Sequence, residues 1–234
     1  MLQNRIVGVR ECSPKQVVKA LLLINPSNPL GDIYSPELLL DIFSFCNEQN
    51  LHVIMDEVYA LSVFNGSPEF YSTLKFPVLP NKNKVHVLYG ISKDFGIAGL
   101  RIGAIHTRCK PLKNCLKQLS FFHDIPFPVM DIAAKFVDDL DWLKMYLSIY
   151  RQRISEKFKE SIDYCKRMGL NVRDSSGGFF LWLDFRPRLP INLNTAPKGF
   201  LSAHQLALLI KIQLTLFGLG ASFYTLSTGS DNIT

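Results

Sequence analysis

Paired cysteines, a concentrated basic block and a long clean apolar run are all missing from this chain, and each shortage removes a class of function. The five cysteines (Cys12, Cys46, Cys109, Cys115, Cys165) are odd in number and contain no CxxC pair. That argues against a disulfide framework or a zinc site and suits reduced thiols in a cytoplasmic protein. The 26 Lys+Arg against 20 Asp+Glu leave a net charge of +6, spread along the chain. Without a dense Lys/Arg cluster, nucleic-acid binding has little support. Near the N-terminus, Leu21–Ile24 is too short for a signal-peptide core and runs straight into Asn25-Pro26. The apolar-rich stretch Leu206–Leu226 is interrupted by Lys211, Gln213 and repeated glycine, which makes it a poor bilayer span. No membrane segment, metal site, internal repeat or low-complexity segment is expected.

What is present reads as a globular α/β chain. At 234 residues and 47% hydrophobic, it can bury one sizeable core or two smaller ones. Leu21–Ile24 reads as a short buried strand that ends in the loop NPSNPLG (Asn25–Gly31). Ser35-Pro36-Glu37 has the residues of a helix start, and Leu38, Leu39, Ile42, Phe43, Phe45 and Cys46 form its apolar face. Leu51–Met55 is a second buried strand running into DEVY (Asp56–Tyr59), and Val85–Tyr89 is a third. Strand, loop, helix, strand is the order of a parallel sheet with crossover helices. Ligands in such sheets sit beyond the carboxyl ends of the strands, where Asn28, Asp56 and Lys93 all fall.

Lys93 draws the chemical interest. A lysine leaving a buried strand, among apolar neighbours and near the cationic Arg101, is disfavoured as ammonium and can act as an amine nucleophile toward a carbonyl. Arg101 can offer a fixed charge to a phosphate. Each residue also has a plain structural role open to it. Asn28 can shape an Asn-Pro turn, Asp56 can cap a helix, Tyr59 can be packing and Lys93 a solvated turn residue.

Beyond the third strand, helices are expected over about 110–122, 129–140 and, capped by Asp141, 142–168. The last carries Lys144, Arg151, Arg153, Lys157, Lys159 and Lys166 on a face read as solvated. Gly177-Gly178 should introduce an aromatic strand, Phe179–Leu183, opening a smaller domain.

Taken together and in order, NPSNPLG, DEVY and SKDFGIAGLRIG (Ser92–Gly103) resemble the fold type I pyridoxal phosphate (PLP) enzymes. Within them the motifs look most like 1-aminocyclopropane-1-carboxylate (ACC) synthase and its vertebrate ACC-synthase-like relatives, kin of the class I/II aminotransferases. SSGGFFLWLDF (175–185) resembles that family's entry into its small domain, and the likeness spans about residues 15–190. It implies a mostly parallel partial large domain over 1–140, a connecting helix over 141–168 and a partial small domain over 169–234. It also implies PLP as cofactor. Lys93 would form the Schiff base and act as the base at Cα, and Asp56 would pair with the pyridinium nitrogen. Asn28 and Tyr59 would bond the phenolic oxygen, while Ser92 and Arg101 would hold the phosphate. The implied substrate is an α-amino acid such as S-adenosylmethionine, and the implied assembly is a homodimer.

The sequence departs from that pattern in three places. Gly90 stands where the family carries a hydroxyl residue as a phosphate ligand. The family's upstream phosphate loop and ring-stacking aromatic have no counterpart here. No arginine follows Arg188, so the carboxylate anchor is missing. The chain therefore reads as truncated at both ends, with weak or no PLP retention expected. A lyase, a transaminase and a non-catalytic protein that keeps the fold all remain open.

Overall fold

The computed structural model describes residues 17–184, which lie almost wholly within one compact unit, residues 1–183. Four strands form its sheet in chain order: β1 (Ala20–Ile24), β2 (His52–Asp56), β3 (Val85–Gly90) and β4 (Gly103–Thr107). The first three are parallel, with Ala20 opposite His52 and Val53 opposite Val85. The sheet is α/β and mostly parallel, as expected. β4 turns back antiparallel against β3, pairing Gly90 with Gly103. The chain between these two strands holds only the four-residue helix α2 (Ile91–Asp94) and a 3₁₀ turn at Ala98–Leu100. A parallel return is usually made through a crossover helix, and residues 91–102 hold none long enough to cross the sheet, which fits the reversal.

Helix α1 (Pro36–Glu48) crosses between β1 and β2. Ser35 caps it by accepting the Leu38 amide at 3.3 Å, and Pro36 occupies the first turn, where its missing N–H costs nothing. Its spacing of Leu39, Ile42, Phe43 and Cys46 builds one apolar stripe against Val53, Met55, Val85 and Val87 of the sheet. Phe76 closes this core edge-on to Phe43, with ring centres 5.7 Å apart. At the far side of the sheet strands, His86 is buried between His52 (2.8 Å) and the Thr107 hydroxyl (2.8 Å).

Three helices follow: α3 (Lys110–His123), α4 (Phe127–Asp138) and the long α5 (Leu140–Arg167). The cap of α5 is Asp139 rather than Asp141. Asp139 has the non-helical backbone a cap requires and accepts the Trp142 amide at 2.9 Å. Asp141 lies inside the first turn and reaches Lys144 instead. Arg151 also differs from the expected solvated face, because its Nε donates to the Leu61 carbonyl at 3.1 Å. Gly169 ends the helix in the left-handed region (φ 70°), with the Leu170 amide bonded back to the Cys165 carbonyl.

Residues 171–178 then form a strap over two earlier loops. Arg173 grips Asp32 with both guanidinium nitrogens, at 2.8 and 3.0 Å. The Ser176 amide bonds the Gly31 carbonyl, and the Gly178 amide bonds the Ser62 carbonyl. Only Leu183–Asp184 (β6) is strand here, paired with Asn171–Val172 (β5). Phe179 and Phe180 leave the strand pattern because they turn onto Tyr59. No helix among the described residues is long and apolar enough to cross a membrane. Cys12 and the stretch Leu206–Leu226 lie outside the described residues.

Candidate functional site

The carboxyl ends of β1, β2 and β3 come level at one edge of the sheet. Ile24 is opposite Asp56, and Asp56 opposite Leu88. The chain continues across this edge, with the Asn25 amide bonded to the Asp56 carbonyl and the Glu57 amide to the Leu88 carbonyl. Three loops therefore meet at the mouth expected for a ligand in a parallel sheet.

The first is NPSNPLG. Its two Asn-Pro bonds are cis, and Ser27 folds the loop by accepting the Gly31 amide on its carbonyl and the Asp32 amide on its hydroxyl. Fully buried Asn25 holds the exit by accepting the Tyr34 amide. Asn28 is thereby brought to Tyr59, with its Nδ2 3.4 Å from the tyrosine oxygen although the two are 31 positions apart. The other amide atom, Oδ1, is buried without a hydrogen-bond partner among the described residues. A buried polar atom left unpaired costs on the order of 1–3 kcal/mol, so the carboxamide is held there against its own solvation.

The second loop is DEVY and the turn after it. Asp56 sits at the β2 terminus, where Oδ1 accepts the Val58 amide at 3.1 Å and fixes the carboxylate's direction. Oδ2 has no hydrogen bond among the described residues. Tyr59 is 3% exposed and wedged edge-on by Phe179 and Phe180, with centres 5.3 and 5.1 Å away. The neighbouring Glu57 serves the fold: its buried carboxylate accepts the Ser72 hydroxyl at 2.6 Å and the Thr73 amide at 2.7 Å.

The third loop carries Ser92, Lys93 and Arg101. Lys93 lies on the single turn α2 with its side chain exposed, so among the described residues it lacks the apolar enclosure anticipated from its strand-end position. Ser92 beside it is half-buried. Arg101 has a left-handed backbone (φ 56°), unusual for a residue with a side chain, and its exposed guanidinium donates to the Ala98 carbonyl at 3.1 Å. At Gly90 an added Cβ would meet the Ile102 carbonyl at 3.4 Å, an ordinary contact, so space does not explain the missing hydroxyl.

Sequence reasoning missed Asp94. It is fully buried, and its carboxylate accepts the Ser62 hydroxyl (2.6 Å), the Leu61 amide (3.1 Å) and the Tyr89 hydroxyl (3.1 Å). Its carbonyl accepts the Tyr146 hydroxyl at 3.0 Å. Burial pushes the carboxyl up to about 6, although the Ser62, Leu61 and Tyr89 donors pull the other way. Tyr89 is pushed up in turn, first by burial and then by Asp94. The one sequence sign of this cluster was the i, i+4 spacing of Trp142, Tyr146 and Tyr150, which stack along α5 at 5.2 and 5.6 Å.

Known proteins resemble this chain in both sequence and fold. The family model "Aminotransferase class I and II" matches residues 6–212. The human probable inactive 1-aminocyclopropane-1-carboxylate synthase-like protein 2 is 38% identical over 190 residues, covering 81% of this chain and 32% of that protein. Human 1-aminocyclopropane-1-carboxylate synthase-like protein 1 is 37% identical over 186 residues, covering 79% and 37%. The chain thus spans about a third of the length of these relatives. Among solved structures, N-succinyldiaminopimelate aminotransferase from Mycobacterium tuberculosis superposes with a TM-score of 0.64 at 23% identity, over 76% of this chain and 44% of that one. That likeness is one of fold, the type I fold of PLP-dependent aminotransferases. By sequence, the chain belongs to the class I and II aminotransferase family.

Proposed function

We propose that this chain carries the lysine side of a PLP site built for α-amino acid chemistry. The observation that carries the reading is the Asn28–Tyr59 contact, which joins two loops at the mouth where the Lys93 loop also arrives. Asn28 Nδ2 and the Tyr59 hydroxyl are two donors converging from separate loops, and an anionic ring oxygen would use both. Asp56, already oriented by the Val58 amide, keeps its second oxygen for a ring N–H. Ser92 and Arg101 offer a hydroxyl and a guanidinium to a phosphate. The residues present fit the group at each of these points.

When bound, PLP supplies an aldehyde carbon and an electron-withdrawing ring. Lys93 would hold the group through that carbon, and its amine would be the base for the proton at Cα of an amino acid. Phe179 and Phe180 pack on Tyr59, and the Ser27 bonds fold the loop of Asn28, which favours holding the pair in place before any ligand arrives. A homodimer, a cytoplasmic location and the division into 1–140, 141–168 and 169–234 belong to the same proposal.

A second reading, a non-catalytic protein that keeps the fold, is favoured by Gly90. The hydroxyl implied there for a phosphate is absent although there is room for a side chain. The name of the human relative, probable inactive, points the same way.

One experiment separates the readings. PLP is added to the purified chain, the mixture is reduced with borohydride, and adducts are mapped by mass spectrometry. Excess labelling at Lys93 over exposed Lys113, lost in K93A and weakened in N28A, is expected. Labelling spread evenly over the surface lysines would sink the PLP reading. An adduct confined to Lys93 without turnover of S-adenosylmethionine or common amino acids would leave the non-catalytic reading in place.

A further inference from the structure

Lys93 stands on a helix that cannot hold itself. One turn of four residues forms too few hydrogen bonds to fix its own position. Its N-cap, Gly90, contributes no side-chain bond, and around Gly96 and Gly99 there is open space. The placement of the lysine amine must therefore come from anchors elsewhere.

Asp94 supplies them. Its carboxylate reaches back to β3 through Tyr89 and across to the turn after β2 through Leu61 and Ser62. Its carbonyl is held by Tyr146 of α5, and the next residue, Phe95, stacks on the same tyrosine at 5.3 Å. The turn it grips is the one that carries Tyr59: the Ser62 amide bonds the Tyr59 carbonyl, and the Ala60 amide bonds the Glu57 carbonyl. The proton order is also fixed. At 2.6 Å the Ser62 hydroxyl spends its only proton on Asp94, so Tyr150, 2.7 Å from Ser62, must be the donor there. Two elements thus converge on the carboxylate next to the lysine and a third on the same residue's backbone carbonyl, and bonds to a charged acceptor are the stronger kind.

We propose that Asp94 is the positioning residue of this site, its buried carboxylate fastening the Lys93 turn to the Tyr59 turn and so setting the amine's reach to the Asn28–Tyr59 pair. This rests on the PLP reading above, deepens it, and assigns Asp94 no contact with the ligand.

The test is D94N, which keeps the shape but turns an amide N–H₂ toward at least one of the donors. A merely structural role would expose every lysine alike, so the measured quantity is the ratio of borohydride-trapped PLP at Lys93 to that at Lys113, in protein with unchanged near-UV circular dichroism. A displacement of this kind should lower the ratio by about tenfold or more, whereas a ratio within about twofold of the native chain overturns the proposal. Should D94N not fold, Y89F removes one bond to the Asp94 carboxylate and leaves the backbone contacts in place. Its folded form should show a fall of about threefold, and an unchanged ratio again overturns the proposal. If the native chain takes no PLP at all, the reading of the previous subsection fails but this one is still decided. Amide exchange over residues 91–96 then accelerates in Y89F relative to α1 if the Asp94 carboxylate anchors the turn, and stays level if it does not.

Discussion

Two helical regions, α1 on one hand and α3 with α4 on the other, differ sharply in how they treat apolar residues. On α1, Leu39, Ile42, Phe43 and Cys46 are all buried, and the strands beneath them supply four more buried side chains. On α3 and α4, no described side chain is buried, and Phe121 and Phe127 are 80% and 78% exposed. Met130 and Ile132 are also exposed. Both regions carry amphipathic helices, so helical periodicity alone does not create a core. A facing surface of matching shape does, and among the described residues α1 has one along its whole apolar stripe whereas α3 and α4 bury no side chain fully. The candidate site draws its rigidity from the first kind of packing. Asn25 follows β1, Asp56 ends β2 and Tyr89 lies in β3, and β2 and β3 supply the strand side of the α1 core.

The contrast can be broken most severely at Phe43. Phe43→Ala should destabilise the chain by about 3–5 kcal/mol in urea denaturation, because the void lies between α1, the sheet and Phe76. A loss below about 1 kcal/mol would mean the α1 face is not the principal core.

The next effect is one of pH, and it isolates the Asp94 anchor from the core. Its folded carboxyl is raised to about 6 from an ordinary 3.8, so the folded state binds the proton more tightly than the unfolded one. The stabilisation from this group is therefore full below about pH 4 and is lost as pH rises through about 6, a change of about 3 kcal/mol. His86 works in the opposite sense. Burial, then His52, lowers it, so its share is lost as pH falls through the ordinary imidazole range. The quantity to measure is thus the stability of the native chain minus that of D94N, from pH 4 to 7. It should fall with rising pH, and a flat difference would show that Asp94 does not titrate in this window.

The smallest effect sharpens the contrast from its other side. Phe127→Ser should change stability by no more than about 0.5 kcal/mol, since the ring is 78% exposed. A larger loss would reveal that this ring is packed in solution.

Much of the first region was legible in the sequence. Short apolar runs marked β1, β2 and β3, and Ser35-Pro36 marked the start of α1, because strand burial and helix capping are local properties of adjacent residues. The strand ends likewise marked where Asn28, Asp56 and Lys93 fall along the chain, because each follows one of those apolar runs. The Asp94 anchor was hidden for the opposite reason. Its partners Leu61, Ser62 and Tyr146 lie 33, 32 and 52 positions away, and nothing in Ser92-Lys93-Asp94 distinguishes a buried carboxylate from a solvated one. Phe179 and Phe180 were misread as strand because their aromatic, β-prone character is local while their contact with Tyr59 is not. The helix cap shifted from Asp141 to Asp139 within a run, Asp138-Asp139-Leu140-Asp141, that offers several equivalent carboxylates.

Gly31 ends the NPSNPLG loop, yet what fixes its identity lies at the other end of the described chain. A Cβ there would stand 1.8 Å from the Ser175 hydroxyl and 2.4 Å from the Gly177 carbonyl, in a backbone conformation (φ 70°) that side chains resist. The strap and the loop therefore behave as one inheritable module. A chimera that grafts a relative's 171–178 segment onto this chain must bring its partner loop along, or the Asn28 carboxamide loses its seat.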